Sequence, residues 1–221
     1  MNYFPFRFSF EQEIVQFAQT ALATSTQEVV SMNFTEQQLP RDLLDKINGE
    51  FNSHHLPSFN NVNIWRKPPG YIQSIHIDPW MWDVLAGKTN TLSSTQTAIN
   101  IPVEGIGTGK MFWFDGRYKV QVSSGVKEAK QKQNNLSKFD QVKIPNGHVV
   151  FYIDWEEEGK IVEELVLDQT YVIRVGVPHQ VVIDKEIRTV ASIRLKNNPS
   201  FDEVRKCLIP VSYTHLTLPT K

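Results

Sequence analysis

Between Val62 and Leu195 the chain falls into about nine short runs rich in β-branched and aromatic residues, most of them closed by turn signals. No other feature narrows the possible folds as far. The runs are "NVNIWRK", "YIQSIHI", "QTAINIPV", "KMFWF", "HVVFYIDW", "KIVEELVL", "TYVIRV", "QVVI" and "RTVASIRL", with "PPG", "PNG", "EEEG" and "DKE" among their connectors. Strands this closely spaced predict a sandwich or barrel rather than an alternating parallel α/β sheet. The region before them is helical in pattern. "FEQEIVQFAQTALA" spaces Ile14, Phe17, Ala18 and Leu22 at helical intervals, and "TEQQLPRDLLDKINGEFN" does the same with Leu43, Leu44, Ile47 and Phe51. Pro40 and Asp42 suit the first turn of the second helix. The expected architecture is mainly β with flanking helices: a double-stranded β-helix, that is, a jelly-roll or cupin-like barrel, preceded by two N-terminal helices. Residues 1–210 form one domain in this reading.

Charge and cysteine content remove several function classes. Lys plus Arg (23) nearly balances Asp plus Glu (24), leaving a formal net charge of -1, so no global field draws the chain to nucleic acid or to an anionic membrane. Cys207 is the single cysteine, which excludes an intrachain disulfide and a multi-cysteine zinc site and predicts a reducing, cytoplasmic setting. The N-terminus "MNYFPFRFSFEQE" lacks a basic region followed by an apolar stretch, and nowhere do ~18 apolar residues run together. A soluble protein is expected. From Gly116 to Pro145 runs a polar tract read as a solvated insertion or lid; its Lys127, Lys130, Lys132 and Lys138 are not interleaved with stacking aromatics, so it is not read as a nucleic-acid site. The end of the chain, "VSYTHLTLPT", resembles a translated sequencing adapter, and Val211 to Lys221 are set apart as a non-native tail.

Two places combine metal-ligand chemistry with strand geometry. In "YIQSIHIDPW" His76 and Asp78 stand two apart, and side chains at i and i+2 of a strand point the same way. Pro79 cannot donate to a ladder, so the strand should end there and leave the pair at a barrel mouth. About a hundred residues later His179 follows the break at Gly176 and Pro178 and opens "QVVI". Four residues, "DKEI", then lead to "RTVASIRL", which predicts a hairpin with His179 facing Ser192. Alternation then puts His179, Arg188, Val190, Ser192 and Arg194 on one face, so that one or both arginines point inward with the histidine. An inward guanidinium stays charged and calls for an anionic partner. Two imidazoles and a carboxylate leave one face of a metal open, as in the non-haem Fe(II) oxygenases.

The order His-X-Asp, a distal histidine in "PHQV" and an arginine nine residues on resembles the Fe(II)- and 2-oxoglutarate-dependent oxygenases, particularly the prolyl-hydroxylase-like group. The likeness runs from about Trp65 to Leu195, and "AINIPVEG" and "MFWFDG" resemble strands of phage and marine bacterial members. It implies that His76, Asp78 and His179 bind Fe(II), that Arg188 binds the far carboxylate of 2-oxoglutarate, and that Ser192 assists it. Asn100, Tyr71 and Gln73 are further candidates for hydrogen bonds to the co-substrate. The implied activity is a dioxygenase that uses 2-oxoglutarate and dioxygen to hydroxylate an unidentified peptide side chain or small molecule. The alternative is a non-catalytic metal- or ligand-binding protein on the same fold. The interval from Asp78 to His179 is long for the group and contains the polar insertion. His148 is the competing distal histidine, "GIGTGK" is read as a turn, Trp80 as core packing or as a stacking face for substrate, and His54 and His55 as residues of a helix end.

Overall fold

A computed structural model of the protein describes residues 1–23, 25, 30–80, 93–124 and 149–209. Two six-stranded sheets carry the fold, and every pairing within them is antiparallel. In chain order the strands are β1 (Tyr3–Pro5), β2 (Val30–Thr35), β3 (Phe59–Lys67), β4 (His76–Ile77), β5 (Pro79–Trp80), β6 (Ser93–Ser94), β7 (Thr97–Glu104), β8 (Gly109–Asp115), β9 (Tyr118–Ser124), β10 (Val149–Trp155), β11 (Lys160–Val166), β12 (Tyr171–Arg174), β13 (His179–Ile183) and β14 (Arg188–Leu195). Sheet I has the order β1-β12-β7-β14-β3-β2 and sheet II the order β11-β8-β13-β4-β10-β9. From β12 through β13 to β14 the chain passes from one sheet to the other and back, the winding of a double-stranded β-helix. β5 and β6 pair separately.

The centre of sheet I, β14 throughout and most of β7, is buried on both faces, and alternation sorts its side chains. On β14, Ala191, Ile193 and Leu195 turn outward into a cluster with Ile14, Ala18 and Leu22 of α1 (Glu11–Ala23) and Leu43, Leu44, Ile47 and Phe51 of α2 (Arg41–Ser53). A third helix, α3 (Phe201–Leu208), adds Phe201, Val204 and Leu208 to that cluster. The opposite residues of β14, namely Arg188, Val190, Ser192 and Arg194, face sheet II; all eight residues of the strand are buried. Between the sheets a second cluster joins Ala98, Tyr171, Ile173 and Val190 to Met111, Trp113 and Leu165. Trp113, fully buried, donates its indole N–H to the Arg174 carbonyl (2.8 Å) and so ties β8 to β12.

Three expectations need correction. The stretch from His179 to Leu195 is not a hairpin: β13 pairs with β8 and β4, β14 pairs with β3 and β7, and the four-residue connection carries the chain from one sheet to the other. A short polar link serves a hairpin and a sheet crossing equally well, so local sequence does not separate them. The polar tract does not begin at Gly116, because Tyr118–Ser124 is β9, paired along β10. The rest of it, with His148, lies outside the described residues, as does the tail from Val211. "YIQSIHI" contributes only the two-residue β4 and an isolated bridge from Ile72 to Val182. The two N-terminal helices are present, accompanied by β1, β2 and a short 3-10 turn at Glu36–Gln38. "GIGTGK" forms the turn into β8, with Gly105 and Gly107 at φ of 62° and 78°, a region that favours glycine.

Candidate metal centre

His76 and His179 are cross-strand partners on β4 and β13, so the ladder itself sets the two imidazoles side by side, their ring centroids 4.3 Å apart. Trp113 is the partner of His179 on its other side. Asp78 follows β4 directly. Its amide donates to the Val175 carbonyl (3.2 Å), and its own carbonyl accepts from Thr95 N (2.7 Å), which anchors the backbone at the point where the strand ends. From there its Oδ1 reaches to 3.3 Å from His76 Nε2 and 3.6 Å from His179 Nε2. One ligand atom from each of the three residues lies within 4.8 Å of the others.

The tautomers suit a metal. His76 Nδ1 lies 2.9 Å from the Ser74 carbonyl oxygen and His179 Nδ1 2.9 Å from that of Val177. A carbonyl only accepts, so each Nδ1 carries a proton and Nε2, the nitrogen on the Asp78 side, is the one left to ligate a metal. Backbone support of this kind is what orients metal-binding histidines. Gln73 Nε2 donates to His76 Nε2 (3.0 Å), a contact that a metal ion on that nitrogen would replace. Burial, with the neighbouring His76, pushes the His179 imidazole down to about 4, so it is neutral and able to ligate at neutral pH. Burial alone would raise the Asp78 carboxyl, but Arg194 and the two histidines outweigh it and hold the group well below the ordinary carboxylate range.

The two arginines of β14 differ in their partners. Arg194 donates from Nη2 to Asp78 Oδ2 at 2.6 Å, a buried charge-assisted contact between the sheets. Arg188 is 6% exposed, is pushed down to about 10 by burial, and meets no carboxylate among the described residues. It lies over Gly109: a Cβ built there would stand 2.9 Å from Arg188 Cδ, so the glycine leaves the space the side chain occupies. Lys67 is its cross-strand partner on β3, with Nζ 4.6 Å from the ring centroid of buried Tyr71. Ser192 donates instead to Asn100 Oδ1 (2.6 Å), its partner on β7, and makes no hydrogen bond to Arg188.

The predicted residues therefore fall into three groups. His76, Asp78 and His179 converge; Arg188, Tyr71 and Gly109 belong to a second region, at the level of Ile183 on β13; Ser192 and Asn100 form a pair of their own. The ion pair of Arg194 with Asp78 was not foreseen, although alternation had put Arg194 on the inward face. Trp80 is buried, and His54 and His55 remain at the end of α2. Among the described residues no helix is long and apolar enough to cross a membrane.

No protein-family model matches the chain, and no curated protein matches it. Among solved structures it is similar to HygX from Streptomyces hygroscopicus with nickel and 2-oxoglutarate bound, at 10% identity over 86% of this chain and 80% of that one, with a TM-score of 0.43. A prolyl-4-hydroxylase of Pseudomonas putida shares 12% identity over 86% and 87% of the two chains (TM-score 0.39). The viral collagen prolyl hydroxylase of Paramecium Bursaria Chlorella virus-1, in its 2-oxoglutarate complex, shares 12% over 88% and 94% (TM-score 0.36). At such identities and scores, no residue assignment passes from these proteins to this chain.

Proposed function

We propose that the protein is an Fe(II)- and 2-oxoglutarate-dependent dioxygenase that hydroxylates a peptide side chain or a small molecule. The observation that carries this reading is the pairing of two features: a His-Asp-His donor set whose ligand atoms converge, with both Nδ1 atoms held by backbone carbonyls, and a buried guanidinium, Arg188, with no carboxylate partner among the described residues. The donor set fits a divalent iron with open coordination positions. The guanidinium fits the remote carboxylate of a dicarboxylate, to which Arg can bind through two parallel hydrogen bonds.

In this reading His76 Nε2, His179 Nε2 and Asp78 Oδ1 hold the iron, and Arg188 fixes the far end of 2-oxoglutarate. Bound iron and 2-oxoglutarate together would supply the oxidising power for attack on a C–H bond, with dioxygen as the oxidant. The chain itself supplies orientation. Ser74 and Val177 hold the imidazole rings, Arg194 holds the carboxylate, and Gly109 leaves room for Arg188. Along β13 the interval from His179 to Ile183, whose ladder partner is Gly109, is about 13 Å of strand, shortened from both ends by the side chains.

Anaerobic titration with Fe(II) and then 2-oxoglutarate tests the proposal. The expected result is the weak visible charge-transfer band of the chelate, absent in His179→Ala. Succinate formation after admission of air would separate an oxygenase from a non-catalytic binding protein on the same fold. Saturation with both ligands and no band would overturn the reading.

A further inference from the structure

We infer that the carboxamide row on β3 and β2, next to Arg194, is a binding face of this protein, and that it takes an uncharged, amide-bearing ligand. The face stands on its own geometry; that the ligand's reacting end lies at the metal rests on the reading above. One half of the space between the sheets is filled and closed. The apolar cluster there draws on β1, β12, β7, β14, β8, β11 and β13, and among the described residues it takes nothing from β2 or β3. At the β1 end the sheets are tied together, with Asn2 N donating to Glu163 Oε2 (2.6 Å) and the Tyr3 hydroxyl to the Glu164 carbonyl (3.2 Å). β2 is the opposite edge of sheet I, and β14, carrying Arg194 and its partner Asp78, borders that second half.

Cross-strand pairing extends the inner face outward from β14. Arg194 meets Asn61 on β3, Ser192 meets Asn63, and Asn63 meets Asn33 on β2. Asparagine is depleted in strands, and a buried carboxamide is costly unless it is hydrogen-bonded. Asn61 is 2% exposed and fully engaged: its Oδ1 accepts from Asn60 Nδ2 (3.0 Å), and its Nδ2 donates to Asn33 Oδ1 (2.8 Å) and Asn63 Oδ1 (3.3 Å). This hub occupies one end of each neighbouring carboxamide and leaves the other end over. Those ends have no hydrogen-bond partner among the described residues, and they are not sealed in, since Asn33 is exposed and Asn63 half-buried. A row that works against strand propensity and adds nothing to the apolar core marks a functional surface.

The ligand's chemistry follows from what the face holds and what it lacks. Asn33, Asn61, Asn63 and its neighbour Thr35 carry no charge, so a carboxylate or ammonium buried over them would go uncompensated. These four offer no ring on which a nucleobase would stack and no cation for a phosphate. A carboxamide donates and accepts along one edge, the complement of a peptide group. From β14 to β2 is two strand spacings, about 10 Å, the length of roughly three extended residues.

The test uses the ¹⁵N-labelled full chain without added metal and follows the side-chain carboxamide signals of Asn33 and Asn63, assigned through Asn33→Ala and Asn63→Ala. The probes are acetyl-capped, amidated tripeptides carrying each uncharged side chain at the centre, the same tripeptides with charged termini, and maltotriose. Saturable shifts of both signals are expected with capped tripeptides. Asn33→Ala, a change at an exposed position, should weaken that binding about three- to tenfold. Equal binding of the tripeptides with charged termini would overturn the selection for an uncharged ligand, and shifts with maltotriose alone would overturn the amide class. No saturable shift with any probe, or unchanged affinity in Asn33→Ala, would overturn the face itself. Failure of the Fe(II) and 2-oxoglutarate titration in a chain that binds capped tripeptides would remove the oxygenase reading and leave this inference standing. A chelate band without carboxamide shifts would remove the inference alone.

Discussion

A buried guanidinium keeps its charge across the working pH range, so Arg188 requires an anion more than any other described residue does. Removing one partner of a buried charge-assisted pair typically costs ~2 to 5 kcal/mol, or roughly 30-fold to several-thousand-fold in affinity. Arg188→Ala is therefore expected to keep Fe(II) and to lose 2-oxoglutarate affinity by that range in isothermal titration. Arg188→Lys should recover only part of the loss, because the fork geometry is gone. Unchanged affinity in Arg188→Ala would remove the co-substrate assignment. The histidine makes a prediction of its own for the metal-free protein. His179 titrates at about 4 in the fold against 6.5 when unperturbed, so as pH falls through this window the unfolded chain takes up a proton that the native state refuses. Stability should fall from pH 7 to pH 4.5 by up to ~3 kcal/mol from this residue. Asp78, held low by Arg194, adds a loss of the same sign at lower pH. Urea unfolding of the metal-free chain at the two pH values checks the direction, and His179→Ala should flatten the slope.

At the scale of elements, the sheet crossing between β13 and β14 decides the geometry. It puts His179 and Arg188 on different sheets, so the path between them crosses from one sheet to the other rather than running along one ladder. β8 contributes through an absence: Gly109 has no side chain where Arg188 passes, and a Cβ there would stand 2.9 Å from Arg188 Cδ and 3.2 Å from the Val182 carbonyl. The arginine can yield and the backbone carbonyl much less, so Gly109→Ala should push Arg188 aside. Overpacking of this kind costs about 1 to 3 kcal/mol, and a displaced anion contact should weaken 2-oxoglutarate binding about tenfold or more. Fe(II) binding should be retained, since the ligands lie at the other end of β13. Equal loss of both ligands would mean that β8 itself had shifted.

The whole molecule separates stability from chemistry by the two faces of sheet I. The outer face meets α1, α2 and α3 in the larger apolar cluster, and the inner face carries Arg188, Ser192 and Arg194. Phe51 lies at the centre of the outer packing, fully buried against Phe8 and Phe10. Phe51→Ala should lower the unfolding free energy by ~3 to 5 kcal/mol, read from the shift of the denaturant midpoint. Iron stoichiometry in the folded protein should not change, because no ligand touches that cluster. A lost metal site in a variant that remains folded would show that the two faces are coupled through β14.

Much of this organisation was legible in the residues themselves. Helical spacing marked α1 and α2, alternation paired His76 with Asp78, and the break at Gly176 and Pro178 marked where His179 begins a new strand. These are local properties, set by backbone periods that a short window of sequence records. α3 carries a capping box at Ser200 and Glu203 and three buried apolar residues, yet its eight residues are too few for periodicity to stand out. β9 is masked by its polar composition. Which strands pair, which side of the barrel β14 joins, and which arginine meets Asp78 were settled only in three dimensions. Arg188 and Arg194 share one face of one strand and one chemistry; what distinguishes them is a carboxylate 116 residues away in sequence and 2.6 Å away in space. Periodicity says which way a side chain points, and only the packing of two sheets determines what it meets there.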